Sequence, residues 1–299
     1  MTSFNDLLVR AAPLIFMFLW STGWISARAA IIDCDPITFL AVRFGAAMVV
    51  FGAIVAIVRS PFPTTRAGYV HAVLSGFLLH TCYLAGVWYA IGQGVPAGVS
   101  AVIAATQPIM TAVLAPMLVN ERITARQWAG LVLGFGGIIM VLMPRLAVVP
   151  IDSIGLWQWA IGINLFAMLT VTLGTFYQKR FVPTGDLRTT AFLQYLSAFP
   201  TTIVLAWMIE PMKFTVSLTS MATLAWSVLA ISLGAGLLLL WLIRHGAVSR
   251  AANLIYLVPP TAALQAWVLF GETLTPLQMV GIAITVAGVA LTVQRVAAR

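Results

Sequence analysis

The sequence predicts an all-α polytopic membrane protein, with ten transmembrane helices arranged as two inverted five-helix repeats around a central cavity. Three observations predict it. The composition is 61% hydrophobic and 8% charged, with a mean hydropathy of +1.02, too few polar residues to coat a water-soluble globule of 299 residues. Ten apolar runs, each long enough to cross a bilayer, are separated by turn and charge signals. One phrase is written twice: "NERITARQWAG" begins at Asn120, and "GETLTPLQMVG" begins at Gly271, 151 positions later.

The first run lies near 11 to 29. Arg10, the apolar stretch and Ala27-Arg28-Ala29 resemble a cleaved leader, but the stretch is longer and richer in Trp, and nine similar runs follow. It is read as a span. The turn Asp33-Cys34-Asp35-Pro36 leads into the second run, near 36 to 58, and Ser60-Pro61-Phe62-Pro63 into the third, near 67 to 92. Gly92-Gln93-Gly94-Val95-Pro96 introduces the fourth, near 97 to 119. The fifth, near 126 to 143, opens on Thr124 and Gln127, which fit a capping box: Thr accepts from the third backbone N–H and Gln reaches back.

The second half repeats this order. Its runs lie near 155 to 179, near 187 to 208 after Pro183-Thr184-Gly185-Asp186, near 222 to 244 after Glu210-Pro211, and near 250 to 270. The tenth, near 276 to 294, opens on Thr275, Pro276 and Gln278, the same cap with proline at the first helical position. Glycines at 130, 134 and 137, and at 281 and 288, permit close approach, so helices five and ten read as packing elements. The runs are about twice as long as barrel strands and lack alternation.

The net charge of +8 does not indicate nucleic acid, because the basic residues stand singly at the ends of apolar runs. Twelve Lys and Arg fall on the side of the termini against three, Arg28, Arg145 and Lys213, on the other, which predicts cytoplasmic termini. Cys34 and Cys82 read as unpaired thiols. At the 151-residue offset Gly23 matches Gly174, Asp35 matches Asp186, Pro108 matches Pro259, and Ala112 matches Ala263. Glu121, Thr124, Gln127, Gly130 and Gly137 likewise match Glu272, Thr275, Gln278, Gly281 and Gly288. The units are 1–148 and 149–299. Because each holds an odd number of spans, the second enters from the opposite side, placing Glu121 in the cytoplasm and Glu272 outside. Inverted halves of this kind exchange conformations to alternate access to a central site.

A charge at mid-membrane costs roughly 2.5–3.5 kcal/mol on insertion scales, so intramembrane ionisable residues need a reason. His80, about 13 residues into helix three, is either a cavity residue, able to gate or to donate to a carboxylate, or a neutral ring bonded to a backbone carbonyl. Helical spacing puts Tyr83 beside it and continues through Val87, while Trp88 and Tyr89 approach the extracytoplasmic interface. Trp20 and Trp24 share a face of helix one, and Trp20 sits too deep for an interfacial belt. Helix four offers Ser100, Gln107 and Thr111; helix nine offers Asn253 and Tyr256. These serve either as cavity groups or as partners in interhelical hydrogen bonds. Pro108 and Pro259-Pro260 free backbone carbonyls at matched positions and could hold an amino group there. Arg43 is assigned a structural role: pairing with Glu272, snorkelling or capping a carbonyl. Gln158, Trp159 and Asn164 open helix six and Trp241 ends helix eight, with faces left unassigned.

Ten spans in two halves, with the doubled Pro-to-Glu-to-Gly pattern, resemble the EamA-type branch of the drug/metabolite transporter superfamily over essentially the whole chain. Trp20-Ser21-Thr22-Gly23-Trp24 and the His80/Tyr83 segment are further similar to YddG-type amino-acid exporters. The resemblance implies a bacterial inner-membrane carrier, with a cavity lined by helices one, three, four, six, eight and nine, exporting neutral or aromatic amino acids and related amphiphiles. No metal, sodium site or other cofactor is expected, and the chain is expected to act as a monomer. The competing classes are an intramembrane enzyme, for which His71, His80 and His245 lack the needed spacing, and a non-transporting receptor, for which no loop exceeds about 15 residues.

Overall fold

The computed structural model describes residues 4–95, 97–146, 151–245, 254–270 and 274–292. As predicted, these are almost wholly helical, and the one strand-like pairing among them is the bridge between Cys34 and Phe214. The first half runs α1 (Phe4–Asp33), α2 (Pro36–Val58), then α3 (Arg66–Gly76), a π-helical segment (Phe77–Ala85) and α4 (Gly86–Gly92). α5 (Ala97–Ala104), α6 (Gln107–Leu118) and α7 (Ala125–Leu146) complete it. The second half runs α8 (Ile151–Phe181), α9 (Leu187–Ile209), α10 (Leu218–Trp226), a second π segment (Ser227–Ala235) and α11 (Gly236–His245). A 3₁₀ turn (Leu254–Leu257), α12 (Val258–Phe270) and α13 (Pro276–Thr292) follow.

Among the described residues seven helices are long and apolar enough to cross a membrane, and Val102–Leu118 and Pro276–Thr292 are shorter apolar helices. The fourth run, expected to cross as one helix, turns at Ala105 and Thr106 instead. Proline at 108 has no N–H to return to the carbonyl of Ala104, and the Thr106 hydroxyl donates to the carbonyl of Ile103 at 2.6 Å. The ninth run enters through a 3₁₀ turn before Pro259-Pro260, for the same reason. The π segments fall at matched places in the third and eighth runs, where the chain carries one residue more per turn than an α-helix accepts. Close backbone approach brackets the first of them. A Cβ on Gly76 would stand 2.4 Å from Gln194 Cα, and one on Gly86 2.9 Å from Ala167 Cβ.

Matched helices of the two halves pack directly on each other. In α2 and α9, Gly45 lies against Phe199 and Gly52 against Phe192, so the two run antiparallel. In α7 and α13 a Cβ on Gly130 would meet the Gly288 carbonyl at 2.6 Å, and one on Gly137 the Gly281 carbonyl at 2.8 Å, again antiparallel. Helices five and ten, read from sequence as packing elements, thus pack on each other along a glycine seam. Both predicted capping boxes form: the Thr124 N–H donates to Gln127 Oε1 at 2.9 Å, and the Thr275 N–H to Gln278 Oε1 at 3.0 Å. Gln278 also donates from Nε2 to the Val141 carbonyl, tying α13 to α7 at 3.2 Å. Around α2 and α9 the core is aromatic, with Phe44 and Phe51 at 5.8 and 5.6 Å from Tyr195.

Where α2 begins and α9 finishes, the connecting loops are stitched together. Asp35 is the N-cap of α2 by position, yet its side chain makes no capping bond. Glu210 caps instead, accepting from the N–H groups of Ile37 and Thr38 and from the Thr38 hydroxyl, each at 2.8 Å. Asp35 accepts from the Lys213 N–H at 2.7 Å, its own N–H donates to the Lys213 carbonyl at 2.9 Å, and Ser217 donates to Asp33. At the opposite end Asp186 caps its own helix, accepting from the N–H of Arg188 at 2.8 Å. The loops there, Pro61–Thr65 and 181–186, border a cavity of about 320 Å³.

The Arg188 side chain bonded to Asp186 holds that carboxyl down at about 2. A depressed carboxylate stabilises the fold fully above the ordinary value near 3.9 and loses its effect only as pH falls through the folded value. Asp186→Ala is therefore expected to lower the thermal midpoint in detergent micelles by the same amount at pH 7 and pH 5. Glu210→Ala removes the shared cap and is expected to cost about 1–2 kcal/mol in the same measurement. Gly288→Leu, whose added atoms would meet the Gly134 backbone, is expected to abolish monodisperse protein on size exclusion, whereas Gly136→Ala, with open space around it, is expected to be neutral.

Candidate functional site

Two small adjoining cavities lie where α1, α2, α9 and the two π segments converge. One, of about 50 Å³, is lined by residues including Trp20, Arg43, Tyr83, Trp88 and Ile231. The other, of about 40 Å³, shares Trp20, Arg43, Tyr83 and Ile231 and adds His80, Gln194, Tyr195 and Ser232. Ligand pockets for drug-sized molecules run to roughly 300 Å³ and above, so these are contracted spaces.

The local chemistry follows from the helices that deliver it. The first π segment carries His80 and Tyr83, and the second carries Ile231 and Ser232; a wide turn at functional positions re-aims side chains that an α-helix would keep in register. His80 stacks on Tyr195 with ring centroids 4.6 Å apart and meets Phe44 at 5.7 Å. Trp20 is tilted on Phe16 at 5.2 Å. Behind the cavity Gln194 Nε2 donates to Ser75 Oγ and to Gln178 Oε1, both at 2.9 Å. Buried amides seek partners within the protein, and Gln194 finds two, while Gln178 Nε2 is left without one.

Of the residues singled out from sequence, Trp20, His80 and Tyr83 come together on the cavity wall. Val87 and Trp88 continue the line in the neighbouring space. Trp88, expected near the interface, is buried and stacks on Phe39 at 5.6 Å. Arg43, assigned a structural role, lies on both cavity walls; it is 5% exposed and so does not snorkel, and its Nε donates to the Ser232 hydroxyl at 3.1 Å. Its suggested partner Glu272 lies outside the described residues.

The remaining candidates sit elsewhere. Ser100 accepts from Asn164 Nδ2 at 2.7 Å, both fully buried, a bond that joins α5 to α8. Gln107 and Pro108 are buried at the start of α6, where the Gln107 carbonyl accepts from the Thr111 hydroxyl at 2.9 Å. Tyr256 is fully buried and packs against Gly134 of α7, in a cluster separate from the cavities. Pro259 sits in the first turn of α12, and Gly130 and Gly281 belong to the glycine seam. Trp24 lies one turn beyond Trp20 on α1, its side chain outside the described set, and Asn253 lies outside the described residues altogether. Trp159, unassigned from sequence, is 76% exposed, as an interfacial tryptophan would be. The reading missed Tyr195, Gln194 and Ser232. Two glutamines inside otherwise apolar runs, Gln178 and Gln194, were the available signal, because each requires a partner from another helix.

The model of the EamA-like transporter family matches this chain twice, at residues 9–143 and 158–294. The Escherichia coli K12 protein named uncharacterized inner membrane transporter YedA is 26% identical over 292 residues, covering 96% of this chain and 92% of that one. The Salmonella typhimurium protein named probable amino-acid metabolite efflux pump is 25% identical over 293 residues, covering 94% and 93%. A solved crystal structure superposes with a TM-score of 0.75 over 94% of both chains at 16% identity, a likeness of fold. Alanine at position 195 in place of tyrosine should remove the ring on which His80 rests, and is expected to lower the thermal midpoint in micelles by several degrees, with Tyr195→Phe close to unchanged.

Proposed function

The chain belongs to the EamA-like transporter family, and on that premise we propose that it is a secondary carrier exporting small metabolites, neutral and aromatic amino acids and related amphiphiles foremost, across a bacterial inner membrane. It works by alternating access between two inverted five-helix halves, 1–148 and 149–299, with both termini cytoplasmic. The observation that carries this reading is the antiparallel packing of matched helices, α2 on α9 and α7 on α13, with a space beside the first pair that residues of both halves line. Units related by a two-fold axis in the membrane plane place equivalent helices antiparallel where they meet on that axis. The family match to two successive segments supports the duplication, and the names of the two bacterial relatives support the membrane and the class of cargo.

Trp20, Tyr83, Tyr195 and His80 offer rings for the apolar part of an amphiphile, and few polar groups orient its head. The loops fit the exchange. They are stitched at one end of the bundle by Glu210, Lys213, Asp33 and Ser217; at the other, beside a cavity of about 320 Å³, Arg244 of α11 donates to the Gly185 carbonyl and to the Thr190 hydroxyl. By the charge asymmetry the Glu210 end faces outward and the Arg244 end faces the cytoplasm.

Purified protein in liposomes is expected to move phenylalanine and related amino acids down their gradients, and Trp20→Ala and Tyr83→Ala each to reduce that flux about tenfold or more. Movement of none of a panel of amino acids, amines and nucleotide sugars would remove the carrier assignment. Single cysteines placed at 121 and 272 in a background lacking Cys34 and Cys82 are expected to react with a membrane-impermeant thiol reagent from opposite faces. Reaction of both from one face would refute the inversion.

A further inference from the structure

We propose that Arg43 is the receptor for an anionic group of the cargo, a carboxylate foremost, which narrows the class to organic acids and zwitterions and sets aside plain amines. The inference rests on the carrier reading and deepens it. A guanidinium has five N–H donors in a planar fork. Arg43 is 5% exposed, yet among the described residues it makes one hydrogen bond, from Nε to the Ser232 hydroxyl, and no ion pair. A hydroxyl does not neutralise a cation. Buried charges elsewhere in proteins are paired or bound to an ion, because removing them from water is costly without compensation.

Position decides what the missing partner is. Arg43 stands eighth in α2, inside the span Pro36–Val58, and borders both central cavities. Trp20 and Tyr83 flank it in each, and His80 and Tyr195 share the second. The space its unused donors face is therefore the same space that presents aromatic walls. A molecule with a carboxylate at one end and an apolar body beside it satisfies both: the carboxylate takes the paired N–H groups of the fork, and the body lies on the rings. Ser232, by accepting from Nε, fixes the plane of the guanidinium and leaves its terminal nitrogens for the cargo.

The test uses the whole protein in liposomes and two readouts, protection of Arg43 from phenylglyoxal, read by peptide mass, and competition against labelled phenylalanine flux. In the wild type, phenylalanine and 3-phenylpropionate are expected to protect Arg43 and to compete, whereas phenethylamine and phenylalaninamide should do both about 100-fold less well. Arg43→Met is expected to lose about 100-fold in phenylalanine flux, and Arg43→Lys, which keeps the charge without the fork, to fall between. Equal protection and competition by phenethylamine, or no protection by any carboxylate, overturns the proposal while leaving the carrier reading intact. Absence of all flux overturns the carrier reading, and the protection series on the unmodified protein then decides Arg43 by itself. Because that series needs no variant, failure of Arg43→Met to fold does not shield the idea.

Discussion

Lipid tails are as apolar as leucine, so helices in a bilayer are not driven together by exclusion from water and must be held by direct contact and internal hydrogen bonds. The α7/α13 seam shows what that demands. Glycines at 130 and 137 face glycines at 281 and 288 so closely that a methyl added at any of the four would overlap backbone atoms, while one on Gly134 would strike the Tyr256 ring. Thr285 lies in the same contact, its hydroxyl returned to the Gly281 carbonyl at 2.8 Å, so no donor is left facing hydrocarbon. The α2/α9 pair solves the same problem with rings instead of glycines on both sides: Phe199 lies on Gly45 and Phe192 on Gly52. Between these two seams the other helices are free to enclose a space.

Much of this was legible in the sequence because the cues were local or repeated. The apolar runs marked the spans, and the boxes at Thr124/Gln127 and Thr275/Gln278 formed as the spacing required. The 151-residue offset anticipated that matched helices would share a design. The π segments were not legible. "FLLHTCYLA" and "SVLAISLGA" contain no proline and differ little from helical sequence elsewhere in the chain. The first has a tertiary setting: the third run is wedged between α8 and α9 where Gly76 and Gly86 admit them, and that wedge exists only once the helices have met. The cap on α2 was hidden for a related reason, since Asp35 occupies the expected position while Glu210, more than 170 positions away, makes the bonds.

The site divides along the same line. Trp20, His80 and Tyr83 were found because mid-span aromatics and a mid-span histidine are unusual enough to be noticed singly. Ser100 and Asn164 turned out to bond each other, the ordinary fate of a polar group in a span, although Asn164 Oδ1 stays without a partner, and Tyr256 proved to be packing for α7. What composition could not reveal was which buried cation would be left without an acidic partner among the described residues. Arg43 was assigned a structural role, and the aromatic helix α9 was not counted as a wall at all. Once α9 is placed against α2, both Tyr195 and Arg43 fall on the cavity.

The two ends of the bundle do not carry the same closing chemistry, although the halves match in order. At the 151-residue offset the position of Glu210 is filled by Arg59, that of Ser217 by Arg66, and that of Asp33 by Thr184; only Asp35, matched by Asp186, keeps its acid. The bonds that stitch 33–38 to 210–217 therefore cannot be reproduced by exchange at 59–66 and 184–189. A carrier whose halves swapped conformations would close one face with a carboxylate shared between helices and the other with Arg244 bonded to Gly185 and Thr190, beside Asp186 bonded locally to Arg188. The resting balance then follows from side chains at the loops, independent of the symmetry of the spans.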